Sequence, residues 1–170
     1  YKANRDKAPE DLHSQVPYIT AILEALGIPV LEHSGWEADD IIASLAKEAT
    51  DDGIQTIMFT GDKDLLQLVN DDVIALRPAK KGESFYRPMG TAEVKEEFGI
   101  TAEQIIDFLA LVGDSSDNVP GVRGIGQKGA TKLLGEYKTL EGIYEHLEDH
   151  TPGLRKNLEE GREDAQLSRT

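Results

Sequence analysis

Residues 54–69, IQTIMFTGDKDLLQLV, change character at their midpoint. The first half, "IQTIMFTG" (54–61), is apolar enough to be a central strand of a parallel sheet. The second half, "DKDLLQLV" (62–69), opens a helix with two acids. A strand that runs into acids and then a helix is half of a strand–helix–strand unit. In open sheets of that kind, ligands sit beyond the C-terminal ends of the strands. Asp62 and Asp64 occupy that position.

The neighbouring segments extend the pattern. On the N-terminal side, "APEDLHSQVPYITAILEALG" has Pro9 at a first helical position and apolar residues at Val16, Ile19, Leu23 and Leu26, the spacing of a helix. Pro17 lies inside it and predicts a kink. "IPVLE" (28–32) reads as a short strand, and "EADDIIASLAKEA" (37–49) as a helix burying Ile41, Ile42, Leu45 and Ala49. On the C-terminal side, "DVIALRP" (72–78) reads as a strand, with "GESFYRPM" (82–89) beside it. From Thr91 the pattern is helical only, and Thr101 and Gln104 are set as a capping box. The expected class is therefore α/β with a helical C-terminal region. The boundary falls at 112/113, with an α/β core over 1–112 and a helical region over 113–170.

Composition narrows the chemistry. The 170 residues carry a formal net charge of −14 and no cysteine, which removes disulfides and thiolate metal sites. No apolar run approaches the ~18 residues of a membrane span. With no signal peptide visible, a cytoplasmic location is expected. Residue 1 is Tyr rather than Met, so a fragment is expected. The acidity is unevenly spread. Residues 37–64 set Glu37, Asp39, Asp40, Glu48, Asp51, Asp52, Asp62 and Asp64 against Lys47 and Lys63. Residues 118–138 set Arg123, Lys128, Lys132 and Lys138 against Glu136. An acidic centre and a basic arm share one chain.

The acids arrive in groups at element boundaries. Glu37, Asp39 and Asp40 open a helix, Asp62 and Asp64 follow a strand, and Asp114 and Asp117 lie in "GDSSDN". Each group alone has an ordinary explanation: a favourable helix N-terminus, an N-cap, a turn. Three such groups at three boundaries exceed what caps and turns require. Oxygen ligands of this kind suit Mg²⁺ or Mn²⁺. Two such ions about 3.5–4 Å apart can activate water for phosphodiester displacement, and the metals then invert the local charge so that a phosphate can enter.

"GVRGIGQKGATKLL" (121–134) supplies the complementary feature. Ile125 sits between Gly124 and Gly126, where it can plug the core, while the glycines allow close backbone approach. The helix that follows offers free N–H groups to a phosphate, and Lys128 adds a charge. Gly121, Arg123, Gly124, Gly126, Lys128 and Lys132 are the candidate nucleic-acid contacts. No set of Asn, Gln and Arg is placed to read bases, so binding is expected to be to backbone and independent of sequence.

These segments, "EADD", "TGDKDLLQL" and "GDSSDNVPGVRGIGQKGA", together with the opening "YKANR", resemble in order and over nearly the whole chain the 5′-nuclease domain of bacterial DNA polymerase I, a relative of the flap endonucleases. The resemblance implies a PIN-like parallel-sheet core and a helix-three-turn-helix DNA-binding module. It implies metal-dependent hydrolysis of 5′ flaps and 5′ ends, on a monomer joined to a polymerase. By motif, Glu37, Asp39, Asp40, Asp62, Asp64, Asp114 and Asp117 would be metal-site carboxylates, held directly or through water. Lys2 and Arg5 would contact the scissile phosphate. A monovalent cation such as K⁺ would be held by hairpin carbonyls. The family pattern also has an N-terminal strand and a following segment, each with one further aspartate, and most of an arch; these do not match any part of this chain. An N-terminally truncated chain with weak or no nuclease activity of its own is therefore expected. The competing classes are a non-catalytic branched-DNA-binding module and a phosphatase using the "DKD" pair. The phosphatase expects that pair after the first strand, followed by a small residue and Thr, whereas here it runs into "LLQL".

Overall fold

The computed structural model describes residues 9–79, 85–115 and 117–169. Eleven elements are named in chain order: α1 (Glu10–Ala25), α2 (Ala38–Asp51), β1 (Thr56–Phe59), β2 (Val73–Pro78), β3 (Tyr86–Met89), α3 (Thr91–Phe98), α4 (Ile105–Val112), α5 (Gln127–Tyr137), α6 (Leu140–Glu145), α7 (Pro152–Glu160) and α8 (Arg162–Leu167). Short 3-10 turns cover Asp64–Leu68, Ala102–Gln104 and Leu147–Asp149. The α/β class with a helical C-terminal region holds.

The sheet has the order β1-β2-β3. β1 pairs parallel with β2, with Thr56 opposite Val73, and β2 pairs antiparallel with β3, with Arg77 opposite Arg87. Pro88 sits in the outer strand β3, where a missing N–H leaves no ladder bond broken on the open side. The expected central strand is instead an edge. Among the described residues β1 pairs on one side only, and Ile57 and Phe59 stay exposed although the Phe59 ring packs edge-on to Tyr86 at 4.2 Å.

Three other expectations change. Residues 28–32 form no strand. The stretch 62–69 winds a 3-10 turn rather than a longer helix. α1 runs unbroken through Pro17, and none of its residues is buried. The apolar stripe that predicted its inward face is largely uncovered: Val16, Ile19 and Leu26 are exposed. α2 buries only Ala46, with Ile41, Ile42 and Ala49 half-buried and Leu45 exposed. Periodicity therefore identified the helices correctly, but burial also needs a partner surface.

The core lies under the C-terminal part. Leu66, Val73, Ala75 and Met89 pack with Val94, Ile100, Ile105, Ala110, Leu111, Leu134, Ile143 and Leu158. Local signals close these helices. Gly99 takes φ +73° and ends α3 with its N–H on the Lys95 carbonyl. The Thr101 N–H donates to Gln104 Oε1 at 3.1 Å, as the capping-box pattern predicts. No helix among the described residues is long and apolar enough to cross a membrane.

Candidate metal centre and nucleic-acid interface

β1 ends at Phe59, and the chain turns sharply over Thr60–Asp64. Buried Thr60 accepts the Asp62 N–H on Oγ1 at 2.9 Å, and Asp62 Oδ1 accepts the Asp64 N–H at 3.0 Å. Arg77, on β2, donates to the Gly61 carbonyl at 3.0 Å and lies 3.9 Å from Glu97, which also pairs with Arg87. The turn is thus bonded from within and held from the neighbouring strand. Its result is to aim Asp64 inward.

The second acidic loop follows α4. Asp114 and Val119 exchange both backbone hydrogen bonds, at 2.9 and 2.8 Å, closing a loop between them. Gly113 (φ +77°) and Asn118 (φ +58°) supply the left-handed positions at either end. Asp114 and Asp117 are both buried. "GDSSDN" is therefore a turn, and the turn packs its two acids inward.

These two loops meet. One carboxylate oxygen from each of Asp64, Asp114 and Asp117 can be chosen so that all lie within 4.8 Å of one another. Asp64 Oδ1 is buried with no hydrogen-bond partner among the described residues. Its carboxyl is pushed up to about 6, first by burial, then by the negative charges of Asp62 and Asp114, with Lys63 acting in the opposite sense. Lys63 Nζ lies 3.1 Å from Asp114 Oδ2. A small hard cation at about 2.1 Å from each oxygen needs donors separated by up to about 4.2 Å. The three carboxylates fit such an ion with a small contraction.

The other acids occupy two further positions. Glu37, Asp39 and Asp40 line a cleft of about 820 Å³ together with Asp64, Asn118 and Val119, but lie outside the tight group. Asp40 Oδ2 accepts the Glu37 N–H at 2.9 Å, so part of its role is capping α2. Asp62 caps the Asp64 turn and adds its charge beside it. Lys2 and Arg5 lie outside the described residues.

The glycine stretch divides by role. Gly121 crosses the end of α4 so closely that a Cβ there would lie 2.3 Å from the Val112 carbonyl carbon and 2.4 Å from Gly113 N. Its need for glycine is one of packing. Val122 and Ile125 are buried, and Ile125 plugs the core as expected. Gly124 has φ +80°, the left-handed value that a residue with a side chain adopts at a cost. Gly126 is the N-cap of α5 and has open space around its α-carbon. Arg123, Lys128 and Lys132 are exposed. An open, basic helix N-terminus thus follows directly from the loop that carries Asp114 and Asp117.

Thr60, Lys63 and Arg77 were not singled out in the sequence as parts of the centre. A Thr two residues before Asp62 is a recognisable turn signal. Nothing local marks Arg77, whose partner Gly61 is sixteen residues away.

Residues 1–99 match the family model described as 5′-3′ exonuclease, N-terminal resolvase-like domain, and residues 100–170 match 5′-3′ exonuclease, C-terminal SAM fold. DNA polymerase I of Caldicellulosiruptor bescii is 45% identical over 170 residues, covering 99% of this chain and 20% of that protein. DNA polymerase I of Bacillus subtilis is 44% identical over 173 residues, covering 99% and 19%. The chain spans about a fifth of the length of these curated relatives. Among solved structures, the T5 D15 protein co-crystallised with metal ions superposes with a TM-score of 0.79 at 24% identity, over 99% of this chain and 63% of that one. At this identity the likeness is one of fold. By its sequence matches over both halves, the chain belongs to the 5′-3′ exonuclease family, with the resolvase-like domain N-terminal and the SAM fold C-terminal.

Proposed function

We propose that this chain is the 5′-nuclease unit of a longer DNA polymerase I-type protein. It would hydrolyse DNA phosphodiesters at 5′ flaps and 5′ ends, for primer or flap removal. The observation that carries the reading is the convergence of Asp64, Asp114 and Asp117, with the buried Asp64 Oδ1 lacking a partner among the described residues. Its support from likeness is that a T5 D15 flap endonuclease with the same fold is known in complex with DNA and metal ions.

In this reading Asp64, Asp114 and Asp117 hold Mg²⁺ or Mn²⁺ directly. Glu37, Asp39, Asp40 and Asp62 support a second position across the cleft, partly through water. Bound ions of this kind supply an activated water and neutralise charge on the phosphate. Thr60 and Arg77 position Asp64 by shaping its turn. The N-terminal amides of α5, with Arg123, Lys128 and Lys132, hold duplex backbone at a distance set by the short segment from Asp117 to Gly126. Gly121 and Gly124 shape that hairpin, whose carbonyls are the place for K⁺. Lys2 and Arg5 would act on the scissile phosphate.

The test is Asp64→Asn and Asp114→Asn in the full-length protein. Flap cleavage falls by at least about 100-fold, while flap-DNA affinity in Ca²⁺ stays within about threefold. Retention of cleavage by both variants overturns the proposal.

A further inference from the structure

Lys63 is the one cation in contact with the acidic centre among the described residues that the nuclease reading leaves without a role. It lies between Asp62 and Asp64 in the sequence, and its ammonium meets Asp114 on another loop, 3.1 Å from Oδ2. The contact is sheltered: 32% of the Lys63 side chain and 11% of the Asp114 side chain are exposed. The backbone at Lys63 is held, since its carbonyl accepts the Leu66 N–H at 3.0 Å. The side chain is not held in that way. It is a flexible four-carbon stem with a point charge at its tip.

We propose that Lys63 is a tethered cation of this centre: its ammonium neutralises Asp114 while no divalent ion is present, and a divalent ion taking the three carboxylates displaces it. This rests on the reading of Asp64, Asp114 and Asp117 as a divalent-metal centre.

Two physical facts drive the exchange. An ion bound about 2.1 Å from an Asp114 oxygen would stand within roughly 5 Å of an ammonium left in its present place, and a double and a single positive charge at that range repel strongly. In the other direction, three carboxylates with oxygens within 4.8 Å of one another repel when nothing positive is near. Lys63 relieves that repulsion and keeps the two ligand loops together. Lysine suits exchange better than arginine, because a single ammonium lets go where a two-pronged guanidinium would hold the carboxylate. The displaced amine remains one residue from Asp62 and Asp64, at the mouth where a phosphate would arrive.

The experiment titrates Mn²⁺ into the 170-residue chain and its Lys63→Met and Lys63→Arg variants, reading free Mn²⁺ by electron paramagnetic resonance, with melting in EDTA alongside. Lys63→Met binds Mn²⁺ at least about five-fold tighter than the parent yet melts at a lower temperature in EDTA, and Lys63→Arg binds more weakly. Equal or weaker binding by Lys63→Met, with the parent binding normally, overturns the tethered-cation proposal and leaves the metal centre standing. A parent chain that binds no Mn²⁺ overturns both. A second reading needs no variant. Acetylation of Lys63 in the parent, measured by mass spectrometry, rises at least about threefold on saturation with Mg²⁺; unchanged or reduced labelling refutes displacement.

Discussion

Asp64 combines burial, repulsion and an unpartnered oxygen in one side chain. Its carboxyl, raised from 3.8 to about 6, binds a proton more tightly in the folded chain than in the unfolded one. The folded state therefore loses stability as pH rises from about 4 through about 6, and the penalty is complete above that. Asp64→Asn removes it. In EDTA the variant is expected to be more stable than the parent by about 1–2 kcal/mol at pH 7.5, after allowance for solvent screening of a half-exposed group. The difference closes toward pH 4. Thermal melts across that range check both the sign and the window. The same substitution removes a proposed ligand, so Mn²⁺ affinity is expected to fall at least about tenfold. A residue that stabilises the fold when neutralised while weakening the site marks where the local chemistry serves binding rather than folding.

Among the elements, the acidic loop and the hairpin depend on one backbone crossing. A methyl group at Gly121 would meet the main chain of Val112 and Gly113 at 2.3–2.5 Å, where no flexible side chain can yield. Gly121→Ala is expected to cost at least about 3 kcal/mol in urea unfolding. The surviving folded fraction should also bind Mn²⁺ more weakly, because Gly113 leads directly into Asp114. The N-terminal end of α5 makes a different kind of prediction. Lys128→Ala and Lys132→Ala should weaken duplex binding uniformly across DNA sequences and each reduce the slope of log affinity against log salt by about one. Fluorescence anisotropy at several salt concentrations measures both. A change in sequence preference instead would contradict backbone recognition.

Across the whole molecule, a buried acid outside the carboxylate centre ties the helical region together. Asp107 on α4 accepts the Leu140 N–H at the start of α6, at 2.9 Å, and lies 2.9 Å from the Arg169 guanidinium just beyond α8. Arg169 also pairs with Glu141. Three helices thus converge on a single carboxylate. Asp107→Ala leaves the Leu140 N–H without its acceptor, and a loss of about 3 kcal/mol is expected in chemical denaturation. Because Asp114 follows α4 by two residues, the helical region braces the carboxylate cluster as well as bearing the hairpin. The N-terminal part is organised differently: Leu12, Tyr18, Ile22, Trp36, Ile57 and Phe59 stay exposed, while the core gathers around α4 and α5.

Local sequence sufficed for most of the elements and for the chemical types, though not for the strand expected at 28–32. Helical spacing marked α1 and α2, short apolar runs marked β1 and β2, and Asp, Gly and Lys at element boundaries marked the centre and the hairpin. These are local properties, set by backbone preference and side-chain chemistry within a few residues. Which acids meet depends on packing between segments distant in the chain. Asp64 and Asp114 are joined by a sheet edge, a core and a loop closure that no spacing encodes, whereas Asp40 caps α2 and lines the cleft, and Asp62 caps the Asp64 turn. The tertiary structure also decided that β1 is an edge and that the stripe of α1 lies open, because burial depends on what else packs there, and periodicity describes only one of the two surfaces.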